Sequence, residues 1–305
     1  MKTGASTTGA SQVKTAATAG LVVGLSVVTL PFGVAAHERA VDVGLSTQEL
    51  GDWALDWLKA NGSVTTERPT TSPAVAAVFT WLAPVVLAPV FNKFEPLEQG
   101  QARQDVLELG EKAGVEIGEV YRVDASRRGT ALNAYVNGLG PSKRVVLYDT
   151  LLSKLDRGER RSVVAHELGH VKDNDIRRGL LFVALATPLG LLFAARFSEA
   201  LGRRSGAEPG EPASLPALAI ALAVTSFAIG VVGNQLSRAV EAKADTTALE
   251  LTDDPRAMID LQKELTVTNL GDPDPPGWVE FLYGTHPSAM ERIGAAKAWQ
   301  QGNRP

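Results

Sequence analysis

The sequence predicts a mainly α-helical membrane protein with about four transmembrane helices and an α+β domain that carries a small β-hairpin or sheet. Three observations predict this fold class. The chain contains long uncharged apolar runs, a charged part with helical periodicity, and one segment that alternates apolar and polar residues. The first observation predicts the membrane part, and the other two predict the water-exposed domain.

Four apolar runs contain no charged residue, and their lengths are close to the ~17–25 residues that a spanning helix needs. They cover residues 15–36, 69–92, 179–195 and 212–237. A buried core helix is the alternative for each run, but four such runs with charged edges favour spanning. The first run also resembles a signal peptide, because lysines precede it and small residues end it. Its length favours an uncleaved anchor.

These runs divide the chain into four predicted regions. Residues 1–92 form an N-terminal membrane region, residues 93–178 and 238–305 are the two parts of the α+β domain, and residues 179–237 form a transmembrane hairpin. Within the first region, the sequence Ser-Thr-Gln-Glu at 46–49 is a capping box that predicts a helix over residues 46–60. Its apolar face carries two tryptophans, so it lies at the membrane interface or packs on protein.

The distribution of Lys and Arg predicts the orientation of these regions. Arg177-Arg178 and Arg238 flank the hairpin, so residues 93–178 and 238–305 are predicted to be cytoplasmic. The acidic segment 37–68 is predicted to lie on the opposite side. Arg203-Arg204, in the connection between the hairpin helices, counts against this orientation. The predicted location is therefore integral to a bacterial cell membrane, with the α+β domain on the cytoplasmic side.

Composition excludes several classes of site. The formal net charge is -4, so nothing indicates nucleic acid as a partner. The chain has no cysteine, which excludes disulfides and thiolate metal sites. Any zinc site must therefore use His and carboxylate ligands, and the chain has four histidines.

Two of these histidines lie in the sequence His166-Glu167-Leu-Gly-His170. On a helix, positions i and i+4 share a face, so His166 and His170 can bind one ion. Glu167 lies beside that face and can act on water held by the ion without being a ligand. A polar turn of an ordinary helix is the alternative, and the motif alone does not decide between them.

A catalytic zinc site needs a third protein ligand. The best candidate is Glu241, because Asp245 lies four residues further on the same helical face and can accept the second ring N–H of a ligand histidine. Taken alone, this pair is typical of a solvated helix face. However, two predicted spans separate His170 from Glu241, so both halves of the site return to one side of the membrane.

Two further segments are candidates for substrate contacts. Residues 130–137 alternate apolar and polar side chains, and a Gly-rich turn leads into the apolar residues 144–148, which predicts a β-hairpin. Its edge can bind an extended peptide as an added strand, although a purely structural hairpin is the alternative. His286 can stabilise an oxyanion, or it can simply precede a capped surface helix.

The combined motifs resemble those of the type I CAAX prenyl protease family of membrane zinc metallopeptidases. The similar segments are ALNAYVNGLGPSKRVVLYDTLL, VVAHELGH, LSRAVEAKAD and THPSAMER, with FNKFEPL and VGLSTQ as linking segments. The resemblance covers residues 30–299 and implies a zincin-like catalytic domain. It implies one zinc ion held by His166, His170 and Glu241, with Glu167 as the base, Asp245 behind a ligand, and contacts to the substrate or transition state from Asn133, Ala134, His286 and Arg292.

The membrane part departs from that family, whose well-known members have seven spans around a large chamber. A layout of two spans before and two within the domain is similar to the related heat-shock membrane proteases of the HtpX type, which act in quality control. The sequence therefore predicts a membrane zinc endopeptidase that cuts membrane-associated or C-terminal peptides. The alternatives are a quality-control protease and a non-catalytic membrane scaffold. The expected partners are a peptide or protein substrate and the lipid bilayer, and the oligomeric state stays open.

Overall fold

The computed structural model describes residues 34–56, 92–138, 143–208 and 211–303. The first two predicted spans lie outside these residues, except for residues 34–36 and residue 92, so they stay predictions. The described residues fall into two compact units. The first contains residues 34–56 and 92–95 together with 122–132 and 148–150, and the second contains the remainder.

The described part is mostly helical and has one small sheet, as the sequence predicts. Residues 34–42 and 50–56 are helical. The complete helices are α1 Gln101–Ala113, α2 Asp149–Lys154, α3 Arg157–Lys172, α4 Asp175–Ser205, α5 Leu215–Thr252, α6 Pro255–Thr268, α7 Gly277–Tyr283 and α8 Ala289–Gln300. The strands are β1 Phe94–Pro96, β2 Glu119–Val123, β3 Ala134–Asn137 and β4 Arg144–Tyr148.

The four strands form one sheet with the order β1-β2-β4-β3. Strands β3 and β4 are antiparallel, with Ala134 opposite Leu147 and Asn137 opposite Arg144, so the predicted hairpin is confirmed. Val145 and Val146 are both fully buried on β4. Because successive side chains of a strand point to opposite faces, both faces of β4 are covered. Among the described strands, β3 is the last on its side of the sheet.

Helix α3, which carries both motif histidines, begins with a capping box. The Asp156 carboxylate accepts a hydrogen bond from the Glu159 backbone N–H at 2.8 Å, and the Glu159 carboxylate accepts one from the Asp156 N–H at 2.7 Å. Ala165 and Leu168 are fully buried and lie on the face of α3 that packs into the domain. The motif therefore lies on a well-formed helix packed into the core.

Helices α4 and α5 form the hairpin predicted over residues 179–237. Within the described residues, they are the two helices that are long and apolar enough to cross a membrane. Only 6% of the most apolar window of α4 is buried, so it is not a core helix of the domain. Both helices extend beyond their apolar runs, and the extension of α5 carries Glu241 and Asp245.

The two hairpin helices run antiparallel and approach each other closely. A Cβ atom on Gly190 of α4 would lie 2.5 Å from Ile229 Cδ1 of α5, so the end of the Ile229 side chain would have to move if this residue were larger. Towards the domain, Lys243 Nζ lies 2.6 Å from Asp173 Oδ1, at the end of α3. The register of the hairpin thus brings the extension of α5 beside α3.

The described N-terminal residues correct one prediction. The capping box at 46–49 does not form, because the helix begins at residue 50 and the Ser46 hydroxyl donates to the Arg128 carbonyl at 2.9 Å. Ser46 also forms a β-bridge with Gly129, and Arg128 Nε lies 2.8 Å from Asp56 Oδ2. Residues 128–132 lead directly into β3. These contacts put residues 44–56 and 128–130 on one side of the membrane, whereas the predicted side of the segment 37–68 as a whole stays a prediction.

Candidate metal centre

His166 and His170 lie one turn apart on the same face of α3, as the motif spacing predicts. Their Nε2 atoms are 3.2 Å apart and their ring planes are nearly perpendicular, at 88°. The two rings therefore present one nitrogen each to a common point.

The opposite ring nitrogens bind carboxylates. His166 Nδ1 lies 2.8 Å from Asp245 Oδ1, and His170 Nδ1 lies 3.0 Å from Asp175 Oδ2. Because an ionised carboxylate only accepts hydrogen bonds, each Nδ1 carries the proton and each Nε2 presents a lone pair. Two lone pairs that face each other at 3.2 Å repel unless a cation or a proton lies between them.

The sequence analysis predicted Asp245 in this role but missed Asp175. The residues His170 and Asp175 are five apart, which is not a same-face spacing on one helix. They meet because α3 ends at Lys172, Asn174 adopts the left-handed conformation with φ 58°, and α4 begins at Asp175. No periodic pattern in the sequence indicates such a contact across a helix break.

Glu241 of α5 contributes a carboxylate to the same point. Its Oε2 atom lies 3.1 Å from His166 Nε2, and its Oε1 atom lies 3.5 Å from His170 Nε2. The residue is buried, with 8% of its surface exposed, and Oε2 makes no hydrogen bond. A buried carboxylate oxygen without a donor is unfavourable unless it binds a cation.

The electrostatic surroundings favour positive charge at His166. Burial alone would lower the pKa of His166, but the carboxylates of Asp245 and Glu241 raise the pKa to about 9. The ligand atoms of His166, His170 and Glu241 all lie within 4.8 Å of one another. Two imidazoles and one carboxylate are a donor set that suits zinc and leaves a further position open. The residues therefore fit a zinc ion.

Glu167 follows His166 on α3 and is half-buried. Burial raises the pKa of its carboxyl group, positive charge on His166 and His170 opposes that rise, and the charge of Glu241 adds to it. Glu167 thus belongs to the same electrostatic cluster without being one of the three grouped ligands. This position is the one that the sequence predicts for a general base.

The C-terminal segment adds two more predicted residues to the cluster. His286 Nε2 lies 3.5 Å from Glu241 Oε2, and its Nδ1 lies 2.9 Å from the Thr285 hydroxyl. Arg292 binds both oxygens of Asp245, with distances of 2.7 Å from Nε to Oδ2 and 2.5 Å from Nη2 to Oδ1. Arg292 therefore orients the carboxylate that orients His166, a link that the sequence analysis missed. Its predicted contact with substrate stays a prediction.

Asn133 and Ala134 lie at the start of the edge strand β3, which packs against α3. Asn133 is exposed, and its Oδ1 atom accepts a hydrogen bond from the Ala134 N–H at 2.9 Å. Ala134 is buried and pairs with Leu147. The predicted peptide-binding edge is thus adjacent to the helix that carries both histidines.

Histidines one turn apart, a carboxylate from a second helix and an edge strand beside them define the layout of a metallopeptidase centre. The sequence profile of peptidase family M48 matches residues 96–300. The chain therefore belongs to peptidase family M48, and the resemblance to CAAX prenyl proteases is confirmed. An uncharacterized metalloprotease of Bacillus subtilis, YhfN, is 32% identical over 305 residues, which cover 89% of this chain and 70% of that protein.

Two other relatives have more specific names, and both match a smaller share of this chain than YhfN does. CAAX prenyl protease 1 of Saccharomyces cerevisiae is 31% identical over 70% of this chain and 51% of its own length. An HtpX protease homologue of Methylibium petroleiphilum is 29% identical over 63% of this chain and 72% of its own length. The chain thus spans about half of the yeast protease.

A solved structure shares the fold. The crystal structure of Ste24p from S. mikatae superposes with a TM-score of 0.76 and covers 90% of this chain and 73% of its own, at 22% sequence identity. At this identity the likeness establishes the architecture and not the substrate. The mostly helical fold with a small sheet is therefore confirmed, whereas four membrane spans are not, because two are found among the described residues.

Proposed function

We propose that this M48-family chain is a membrane-embedded zinc metalloendopeptidase that binds one zinc ion through His166, His170 and Glu241. One observation carries the proposal. Two imidazole lone pairs and a buried carboxylate oxygen without a hydrogen-bond donor converge on one point, and each imidazole is oriented by a carboxylate behind it. Such a cluster is unfavourable unless a cation or a proton lies at that point.

Zinc at this point would polarise a peptide carbonyl and acidify water. Glu167 then accepts the proton of the attacking water and delivers it to the amine that leaves. His286, 3.5 Å from Glu241 on the open side of the cluster, donates a hydrogen bond to the oxygen on which negative charge develops. Arg292 and Asp245 keep His166 in the tautomer that presents Nε2.

Strand β3 supplies the binding edge for the substrate. An extended peptide that pairs with β3 forms backbone hydrogen bonds along the sheet edge, and its cleaved bond lies next to α3. Asn133 is exposed at the start of this edge, where it can bind the peptide backbone. The substrate is therefore an extended polypeptide segment and not a folded domain.

The substrate class follows from the membrane helices and the named relatives. We propose that the enzyme cuts membrane-associated proteins near a C-terminus, as the name CAAX prenyl protease implies for its relatives. Basic residues next to the hairpin support the proposal that the metal centre lies on the cytoplasmic side of a bacterial cell membrane. A second candidate is general membrane quality control, which is favoured because the chain covers 72% of the HtpX homologue and only 51% of the yeast prenyl protease.

Replacement of Glu167 by Gln tests the proposed chemistry. The amide is nearly isosteric and removes the base but no metal ligand, so zinc content should stay at one ion per chain. Cleavage of an unfolded membrane-tethered peptide should fall by about 10²–10⁴-fold. Glu241→Gln is the matched control, since the same exchange at a ligand should lower zinc content as well, as measured by metal analysis of the purified protein.

The two substrate classes are separated by offering both to the same reconstituted enzyme. A prenylated C-terminal peptide and the same peptide without the lipid should be cut at different rates if lipid recognition is part of the function. Equal rates for both, with cleavage of a misfolded membrane protein, would favour quality control. Zinc binding without cleavage of either substrate would contradict both and favour the non-catalytic scaffold.

A further inference from the structure

Helix α7 lies outside the two long apolar helices, yet it exposes several large aromatic side chains. It has seven residues, with the sequence GWVEFLY, and three of them are exposed aromatic residues. Trp278 is 66% exposed, Phe281 53% and Tyr283 61%. Three large aromatic side chains exposed on two turns indicate contact with something other than water.

Three polar side chains of α5 dock the C-terminal end of α7. The Asn234 amide donates to the Leu282 carbonyl at 2.7 Å, and the Gln235 amide donates to the Phe281 carbonyl at 2.6 Å. The last carbonyls of a helix lack partners within the helix, so these bonds satisfy groups that would otherwise need water. They also fix α7 at one level along α5.

Arg238 completes this docking and extends it to the next loop. Its Nη1 atom donates to the Glu280 carbonyl at 2.6 Å and to the Gly284 carbonyl at 2.7 Å. Arg238 is the first charged residue after the apolar run of α5. The end of α7 therefore lies at the level where α5 leaves its apolar run.

A ring contact places α7 against the apolar run itself. The rings of Tyr283 and Phe227 meet edge to face, with centroids 6.3 Å apart. Phe227 lies inside the uncharged run of α5 and is 49% exposed. The exposed aromatic surface of α7 is thus continuous with the lipid-facing surface of the hairpin.

We propose that α7 is an interfacial anchor, whose Trp278, Phe281 and Tyr283 insert into the headgroup region of the bilayer. Trp and Tyr prefer this region because one part of each ring system is apolar and another part forms hydrogen bonds. The lipid bilayer is the occupant because α7 is docked at one point by Arg238, just after the apolar run of α5, and contacts Phe227 inside that run through Tyr283.

The anchor has a consequence for the metal centre. Arg238 holds Gly284, the first residue after α7, and His286, two residues further on, reaches Glu241. Insertion of α7 into the interface therefore fixes the His286 loop and keeps the metal centre at the bilayer surface. This second step deepens the proposed protease function, whereas the lipid contact of α7 stands without it.

The absence of native cysteine makes the lipid contact testable in the full-length protein. Single variants Trp278→Cys and Phe281→Cys are labelled with an environment-sensitive fluorophore and reconstituted into vesicles of phosphatidylethanolamine and phosphatidylglycerol. Glu250→Cys is the control, because it is exposed on the same helix α5 and lies about 18 Å beyond Arg238, away from the apolar run. Size-exclusion profiles and helical content show that each variant is folded.

The labels at 278 and 281 should emit at shorter wavelength than the label at 250, and lipids that carry a nitroxide near the headgroup should quench them. The label at 250 should show neither effect. Emission typical of water at both positions would overturn the proposal. A short-wavelength emission that nitroxide lipids do not quench would overturn it as well, because protein and not lipid would then cover α7. The fluorescence measurement does not depend on cleavage. The lipid contact of α7 can therefore be disproved while the protease function is confirmed, and the protease function can be disproved while the lipid contact is confirmed.

Discussion

At the residue scale, the metal centre depends on which ring nitrogen of each histidine carries the proton. Asp245 and Asp175 occupy equivalent places behind His166 and His170, at 2.8 and 3.0 Å from the Nδ1 atoms. Each carboxylate makes its histidine a better ligand by holding the proton on the far nitrogen. The two aspartates come from different helices, so both helices must be in place before either imidazole is oriented.

Asp175→Asn and Asp245→Asn test this arrangement. The amide oxygen of each variant still reaches the imidazole Nδ1, but it carries no negative charge and holds the Nδ1 proton less strongly. Zinc affinity should therefore fall by about 10–100-fold in each variant. Competition with a chelator of known affinity measures the change. Asp274→Asn is the control, because this exposed residue lies in the loop before α7. Unchanged affinity in both site variants would show that the aspartates do not orient the ligands.

At the element scale, the centre is the meeting point of α3 and the extension of α5. Gly169, between the two histidines, faces α5 so closely that a Cβ atom would lie 3.2 Å from Ala244 Cα and 3.3 Å from the Ala244 carbonyl oxygen. These are backbone atoms of α5, which cannot rotate away as a side chain can. The glycine therefore permits the helix approach that brings Glu241 to the histidines.

Gly169→Ala should push α5 away from α3 and weaken the site. We expect a loss of unfolding free energy of about 1–3 kcal/mol from overpacking, together with weaker zinc binding. Gly294→Ala is the matched control, because a Cβ atom there meets nothing within 4 Å and α8 should gain about 0.5–1 kcal/mol. Thermal unfolding in detergent compares the two. Equal midpoints for the two variants would contradict the close approach.

The pair of α1 and α3 is held by a partly buried ion cluster. Asp105 of α1 binds Arg157 at 2.7 Å and Arg161 at 2.8 Å, both on α3. Burial alone would raise the pKa of Asp105, but hydrogen bonds from these arginines lower the pKa below its ordinary value. A carboxylate with a lowered pKa stabilises the folded state at neutral pH, and this stabilisation is lost as the pH falls through the lowered pKa.

Asp105→Asn should therefore destabilise the protein by about 1–3 kcal/mol at pH 7, because charged hydrogen bonds are removed. The difference in melting temperature between wild type and variant should shrink as the pH falls below about 4, the ordinary pKa of an aspartate. Glu98→Gln, at an exposed position, should show no such dependence. A difference that stays constant between pH 7 and pH 3 would exclude the ion cluster as its source.

At the scale of the whole molecule, membrane sidedness follows from contacts more firmly than from charge counts. Residues 44–56 bind residues 126–130 through a β-bridge, hydrogen bonds and an ion pair. They must therefore lie on one side of the bilayer. The acidic composition of segment 37–68 predicts the opposite side, but one of its acidic residues, Asp56, forms an ion pair with Arg128. A charge count cannot distinguish an internal ion pair from a loop free in solution.

Single cysteines at Asp52, Lys154, Ser205 and Glu250 test this topology, since all four positions are exposed. A membrane-impermeant maleimide is applied to intact cells. Positions 52, 154 and 250 should all be labelled or all be protected, and position 205, at the end of α4, should show the opposite result. Cells opened by detergent supply the control in which all four react. If position 52 reacted like position 205, the contacts between residues 44–56 and Arg128 would be contradicted.

Features with a short repeat could be predicted from the sequence alone. The uncharged runs predict the hairpin helices, alternation predicts β3 and β4, and the spacing of His166 and His170 predicts a shared face. Each depends on neighbours within a few residues, because helix and strand periods are fixed by backbone geometry. The even number of spans between the two halves of the site also predicted that Glu241 returns to α3.

Only the tertiary structure decided the contacts that no period specifies. The Asp175 carboxylate binds His170 across a helix break. Arg292 of α8 binds the Asp245 carboxylate of α5. Ser46 forms a β-bridge with Gly129. These contacts depend on how packed elements sit against each other, and many sequences with the same pattern would pack differently. The sequence by itself therefore determined which residues of α3 and α5 are candidate metal ligands. The fold determined which carboxylates orient the two histidines.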